Sequence, residues 1–193
     1  MNAIERLIHF LAPLFARIGG AIMVLIAVMV SIDVLTRNIN GQTYLNSFEL
    51  SVYLFAIAIS FGMSYTALSG AHIRVDVFMA RFPQASRRAL DFVAFASLTG
   101  VGMFFAYTTY LLFMKSLQRG VTSTSILAVP LAIPQAFLAV GMGIFALTAL
   151  ILTVRHGLLL IQGRGTDADR VGRFDSNDEI AEAIEDVHRR EAL

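Results

Sequence analysis

The chain has 193 residues, of which 56% are hydrophobic and only 15% are charged, and its formal net charge is +1. Its mean hydropathy is +0.69. Soluble domains carry roughly 25% charged residues, so the composition argues against a soluble domain and for a membrane protein. The absence of cysteine excludes a disulfide framework and thiolate sites for zinc or iron–sulfur clusters.

Four apolar segments are long enough to cross a bilayer, which takes about 20 helical residues. They are Leu14–Leu35, Leu50–Ala71, Phe92–Met114 and a segment within residues 120–154. The last should begin near Pro130 and end near Arg155, because proline is tolerated in the first helical turn but not in the interior. No small-x-small cleavage site follows the first segment, so we expect it to be retained. The sequence therefore predicts an all-α integral membrane protein with a four-helix domain over residues 1–162.

The loop cations predict the orientation of these helices. Two arginines precede or open the first helix, one lies in the first loop, four lie in the second, two cations lie in the third, and four follow the fourth helix within residues 155–173. The positive-inside rule then places both termini and the second loop in the cytoplasm. The first and third loops face the periplasm of a bacterium, and the protein is expected in the inner membrane.

The stretch SGAHIRVDVF, residues 69–78, follows the second helix and places His72, Arg74 and Asp76 two residues apart. One histidine and one aspartate are too few ligands for a metal site. Apolar residues at helical spacing follow this trio in the sequence, and several arginines surround them. We therefore predict a short amphipathic helix in the membrane interface between helices 2 and 3, with this trio at its cytoplasmic rim.

Charged residues also mark the predicted outer helix ends. Glu49 opens the second helix, where a carboxylate favours the helix dipole. The alternative is an ion pair with a partner's cation, or with Lys115 or Arg119 at the end of the third helix. Asp33 and Arg37 are spaced i, i+4 at the end of the first helix, which predicts a solvated surface pair.

The Ser/Thr run of the third loop and the glycines of the predicted helices each allow two interpretations. Ser123 and Thr124 belong to a Ser/Thr run in the third loop that either caps a re-entrant turn or docks an external partner. Small residues in membrane helices allow close approach, either inside this chain or to another subunit. The predicted helices contain Gly19, Gly20, Gly62, Gly100, Gly102, Gly141 and Gly143.

Residues 163–193 change character and predict a polar cytoplasmic tail. Ser176 and Glu179 form a capping-box pattern, and apolar residues follow at helical spacing, so the tail should contain one short helix.

Three motifs together carry a resemblance to a known family. They are the G-A-H-I-R-V-D run of residues 70–76 in the chain after Glu49, the D-V-L-T-R ending of the first helix at residues 33–37, and T-S-T-S-I-L-A-V-P-L-A-I-P-Q at residues 122–135. Their order and spacing resemble the small membrane subunit of tripartite ATP-independent periplasmic (TRAP) transporters, over roughly residues 5–160.

The resemblance implies a partner role and no enzymatic activity. In such transporters a periplasmic substrate-binding protein captures an organic acid, and a large membrane subunit carries the substrate and sodium sites. The small subunit is then a scaffold in the bilayer, with no cofactor of its own and no nucleic-acid partner. The candidate residues for partner interfaces are Arg37, Glu49, Lys115, Arg119, Ser123 and Thr124.

Two other functions remain open from the sequence. A haem-binding membrane anchor of a redox enzyme needs histidines inside facing helices, whereas His9, His72 and His156 lie near the cytoplasmic helix ends and His188 lies in the tail. A stand-alone small exporter needs an ionisable or polar stripe within its spans, and we find none. A haem absorbance band or transport by the chain alone would identify either function.

Overall fold

Four long α-helices form most of the computed structural model, which describes residues 3–40, 47–69, 83–125, 128–168 and 171. They are α1 (Ala3–Asn40), α2 (Ser47–Leu68), α3 (Gln84–Arg119) and α4 (Ala132–Ile161), and a single helical turn, α5 (Gly165–Ala168), follows. Each long helix contains a stretch that is long and apolar enough to cross a membrane. In the part of the chain that the structure describes, the protein is therefore an all-α membrane protein with four spans, which confirms the predicted fold class.

Three helices extend beyond the apolar segments that predict them, whereas α2 begins three residues before the predicted Leu50 and ends at Leu68. α1 and α3 continue past the predicted limits at both ends, because Arg, Lys and Glu end a hydropathic segment but are good helix formers. α3 ends at Arg119 and is capped by Gly120, whose φ of 58° is left-handed and whose N–H donates to the Ser116 carbonyl. α4 begins at Ala132, just after Pro130, and runs past Arg155 to Ile161.

The four helices pack as a row in the order α1, α2, α4, α3. α1 packs on α2, α2 packs on α4, and α4 packs on α3, whereas α1 and α4 touch only slightly. In the most apolar stretch of each helix, 33% of the residues are buried in α2 and in α4, against 11% in α1 and 17% in α3. The two middle helices thus form the core, and the two edge helices each leave a long face uncovered by the described chain.

Glycines mark the places where neighbouring helices approach most closely. A Cβ added at Gly19 would lie 2.8 Å from the Ala58 carbonyl oxygen, and one at Gly141 would lie 2.8 Å from the Ser60 Cβ. Gly102 similarly faces α4. These three glycines therefore serve contacts inside the chain, whereas an added Cβ would meet nothing within 4 Å at Gly20, Gly62, Gly100 or Gly143.

The chain after α4 returns to the end of the row where α2 and α4 finish and α3 begins. The loop cations predict that this end faces the cytoplasm, and we call it the inner end. Ala168 is fully buried. Val171 is 6% exposed and belongs to a core cluster that includes Phe95, Phe145 and Leu152. We call α5 together with Val171 the strap. Packing against the membrane helices therefore continues past residue 163, where the sequence predicts the polar tail to begin.

His156 holds the strap against α3 and α4. Its Nδ1 lies 3.2 Å from the Ala168 carbonyl oxygen, and its Nε2 lies 3.4 Å from the Arg88 carbonyl oxygen. The ring stacks on Phe92 and is tilted against Phe95. This buried histidine thus has a structural role in closing the inner end of the row.

Several sequence predictions lie outside the described residues. They are the interfacial helix between α2 and α3, its rim residues His72, Arg74 and Asp76, and the short helix in the tail after Ser176.

Candidate partner-binding site at the outer helix ends

Polar side chains from three parts of the chain meet where α1 and α3 end and α2 and α4 begin. The loop charges predict that this end faces the periplasm, and we call it the outer end. Asp33 of α1 accepts hydrogen bonds at Oδ2 from the Ser47 hydroxyl at 2.7 Å and from Arg37 Nη2 at 2.8 Å. Ser47 is the first residue of α2, so this carboxylate joins the ends of two helices.

The prediction that Asp33 and Arg37 form a solvated surface pair is wrong for Asp33. The Asp33 side chain is only 2% exposed, whereas its partner Arg37 is 56% exposed. The i, i+4 spacing brings the two side chains together as predicted, but it does not report which helix face is covered. α2 covers Asp33 and supplies Ser47 as a second donor, so the carboxylate is a buried structural group.

Glu49 lies in the first turn of α2, as predicted, and its observed partners are hydroxyls. Its Oε1 accepts hydrogen bonds from the Tyr53 hydroxyl at 2.8 Å and from the Ser123 hydroxyl. The second contact joins α2 to the connection between α3 and α4. Neither Lys115 nor Arg119 pairs with Glu49 within the described chain.

The connection between α3 and α4 folds back on itself as a narrow loop. Ser123 N donates to the Val129 carbonyl at 2.9 Å, and Leu131 N donates to the Val121 carbonyl at 3.0 Å. Ser125 N also donates to the Ser123 hydroxyl at 3.2 Å. Ser123 thus forms hydrogen bonds within the loop, whereas Thr124 is exposed on the loop surface.

Among the described residues, the outer end carries three exposed cations, Arg37, Lys115 and Arg119, and two carboxylates, Asp33 and Glu49. Lys115 and Arg119 lie one helical turn apart at the end of α3, both exposed, and neither forms a hydrogen bond or ion pair with a described residue. Arg37 adds a half-exposed guanidinium. Of the six interface candidates, Glu49 and Ser123 form a hydrogen bond with each other. The three cations and Thr124 are exposed.

Three buried acceptor atoms near this end have no donor among the described residues. They are Asp33 Oδ1, Glu49 Oε2 and Gln135 Oε1. Leaving a buried acceptor unpaired costs about 1–3 kcal/mol. The cluster therefore favours donors supplied from outside, by water or by a partner. The described residues hold no group of three or more His, Cys, Asp or Glu side chains placed to bind a metal ion.

Sequence reasoning missed the roles of Ser47 and Tyr53. The available signal was an aspartate in an otherwise apolar helix end and a serine at the next helix start, since a carboxylate near lipid needs donors. That signal could suggest that Asp33 has a partner, but it could not identify the partner as Ser47.

The chain matches a protein-family model. The model described as "Tripartite ATP-independent periplasmic transporters, DctQ component" covers residues 26–157, well over half of the chain. The match begins inside α1 and ends in α4, so it includes the whole outer end. A search for similar curated proteins gives no match.

Proposed function

The chain belongs to the DctQ family of TRAP transporter components, and we propose that it is the fixed scaffold for the large subunit that translocates substrate and sodium. In this proposal a periplasmic binding protein delivers an organic acid to the assembled membrane subunits. The protein lies in the bacterial inner membrane with both termini in the cytoplasm, the orientation that the loop cations support.

The observation that carries this proposal is the distribution of ionisable groups along the four spans. Asp33 and Glu49 lie near the outer ends, and Asp91 and His156 lie near the inner ends. The buried polar residues between these levels are small hydroxyl residues: Ser60, Ser64 and Thr148. Ion-coupled transport cores usually place ionisable groups or broken helices near the bilayer midplane. Continuous helices with charges only towards their ends suit a supporting subunit.

Reconstitution tests this function. Proteoliposomes that contain this chain alone are expected to show no sodium-driven uptake, because the charged side chains of its described spans lie towards the helix ends. Adding the large subunit, the binding protein and a substrate screened from organic acids should restore uptake. The matched control contains the large subunit and the binding protein without this chain. Uptake by the chain alone, or full uptake in that control, would contradict the scaffold function.

The exposed cations at the outer end suit a second contact, with the binding protein. Positive-inside bias disfavours cations on this side, and Lys115 and Arg119 have no described partner that would account for them. A protein that docks and leaves repeatedly gains from exposed charges chiefly through a faster encounter. An acidic surface on the binding protein is therefore the expected complement.

Charge reversal distinguishes docking from anchoring at lipid head groups. Lys115→Glu combined with Arg119→Glu should leave assembly unchanged and lower uptake about tenfold when the binding protein is limiting. Higher binding-protein concentration should partly restore the rate, and added salt should reduce the difference. Arg155→Glu, an exposed cation at the opposite end, serves as the control. Unchanged uptake across the whole titration would leave Lys115 and Arg119 as interface anchors only.

A further inference from the structure

α3 presents one face to α4 and an opposite face that no described residue covers. Asp91, Phe95, Gly102 and Ser116 are buried along the α4 side. Helical periodicity places Gly100, Met103, Phe104 and Tyr107 on the other side, and all four are exposed. We call these four residues the tyrosine face.

Tyr107 lies deep within the apolar part of α3. The uncharged run Phe92–Met114 is centred on Met103, so Tyr107 is four residues from the centre, or about 6 Å at 1.5 Å per residue. The hydrocarbon core extends about 15 Å on each side of its middle. Tyr107 is therefore well inside the hydrocarbon, below the level at which interfacial aromatic residues lie.

The direction of the helix carries the phenol still deeper. Side chains in an α-helix lean toward the N-terminus. From Tyr107, that direction points back toward Met103 and the bilayer middle, whichever way the chain crosses the membrane. The hydroxyl of Tyr107 therefore does not reach toward the head groups beyond the nearer end of α3.

This hydroxyl has no partner in the described chain, and its side chain is 63% exposed. The neighbouring Thr108 and Thr109 hydroxyls donate to the Phe104 and Phe105 carbonyls at 2.9 and 2.7 Å. A phenol is too long and rigid to return to its own backbone in this way. Lipid tails offer no acceptor, and an unpaired hydroxyl in an apolar medium is costly. Lipid alone is thus a poor cover for the tyrosine face.

The exposed face of α1 at the other edge of the row differs in chemistry. Val24, Leu25 and Val28 are more than half exposed there, and Ser31 returns its hydroxyl to the Ala27 carbonyl at 2.7 Å. These side chains need no hydrogen-bond acceptor from a neighbouring molecule, so lipid can cover them. The two edges of the row therefore favour different neighbours.

We propose that a transmembrane helix of the large subunit packs on the tyrosine face and offers an acceptor to the Tyr107 hydroxyl. This inference rests on the proposed function and adds to it the surface on which the two membrane subunits meet. Gly100 suits such a contact, because the space beside its α-carbon is open and small residues let membrane helices approach closely. Phe104 and Met103, which are 63% and 52% exposed, would flank the entering helix.

Site-specific photo-crosslinking tests the surface. A photoreactive phenylalanine analogue is placed at Tyr107, or at Val28 as the control on α1, and each variant is co-expressed with the large subunit and irradiated in membranes. An adduct between the two subunits from position 107, at least fivefold more abundant than from position 28, is expected. An adduct only from position 28, an adduct only with a second copy of this chain, or no protein adduct in a complex that still co-purifies would overturn the proposal. Failure of the unmodified chain to co-purify with the large subunit would instead overturn the proposed function and this inference with it.

The hydroxyl itself is tested by Tyr107→Phe, which keeps the ring. Interhelical hydrogen bonds in membranes average about 0.6 kcal/mol, so the association constant with the large subunit should fall about threefold. Tyr65→Phe, an exposed tyrosine near the end of α2, should leave it unchanged. Equal association of the wild type and Tyr107→Phe would show that the hydroxyl has no acceptor on the large subunit.

Discussion

Replacing Gly141 with alanine is expected to destabilise the protein by about 1–3 kcal/mol, because one added methyl group overpacks the contact between α2 and α4. The new Cβ would lie 2.8 Å from the Ser60 Cβ and 3.0 Å from the Phe61 ring. Ser60 Cβ is fixed to the backbone of α2, so the two helices must move apart. The loss should appear as a lower unfolding free energy in detergent micelles titrated with a denaturing detergent.

The matched control is Gly143→Ala in the same helix. A Cβ at this position would meet nothing within 4 Å, and alanine is favoured over glycine in a helix by about 1 kcal/mol. Gly143→Ala should therefore be neutral or slightly stabilising. Equal destabilisation by the two substitutions would show that α2 and α4 do not approach closely at Gly141.

Removing the strap should have the second large effect. A chain that ends at Arg164 loses the buried Ala168 and Val171 side chains and the contact of His156 with the Ala168 carbonyl. Burial of a valine stabilises by about 1.5–3 kcal/mol and a hydrogen bond by about 0.5–1.5 kcal/mol, so we expect a loss of about 2–4 kcal/mol. Thermal unfolding of the two purified proteins in one detergent measures it.

A chain that ends at Val171 is the control for this truncation. It lacks most of the predicted polar tail but keeps the strap, so its unfolding temperature should stay close to that of the full chain. Equal stability of the chains ending at Arg164 and at Val171 would contradict a stabilising role for the strap.

The number, order and approximate positions of the membrane helices could be predicted from the sequence, because a long apolar run reports local burial in lipid directly. The same reasoning predicted that Glu49 lies in the first turn of α2 and that Asp33 and Arg37 meet. The first is a position within one helix, and the second is a contact between residues four positions apart. Their spacing along one helix is enough to infer them.

Contacts between distant parts of the chain could not be predicted in this way. Asp33 meets Ser47 and Glu49 meets Ser123 because α2 lies between α1 and the loop before α4. Gly19 and Gly20 are identical neighbours in the sequence, yet only Gly19 faces the Ala58 carbonyl. A rotation of about 100° separates the two positions. Which of them faces a neighbouring helix depends on how the helices pack, and no local sequence pattern shows that.

The strap was missed for a related reason. Val171 is a single apolar residue between Arg170 and Gly172, and a composition shift averages over many residues. Its burial depends on Phe95, Phe145 and Leu152, which belong to α3 and α4. A single well-placed side chain can extend a packed domain beyond the boundary that composition predicts.

The row order constrains how the chain can be inserted during synthesis. Helices α1 and α2 are neighbours in both sequence and space, and so are α3 and α4. Each pair can therefore leave the translocon as a helical hairpin that already holds most of its final contacts. The contact between α2 and α4 joins the two hairpins, and it can form only after the last span has been made. Until then Ser60 and Ser64, which are fully buried in the finished row, face lipid or the insertion machinery, so the emergence of α4 is the step that joins the two hairpins.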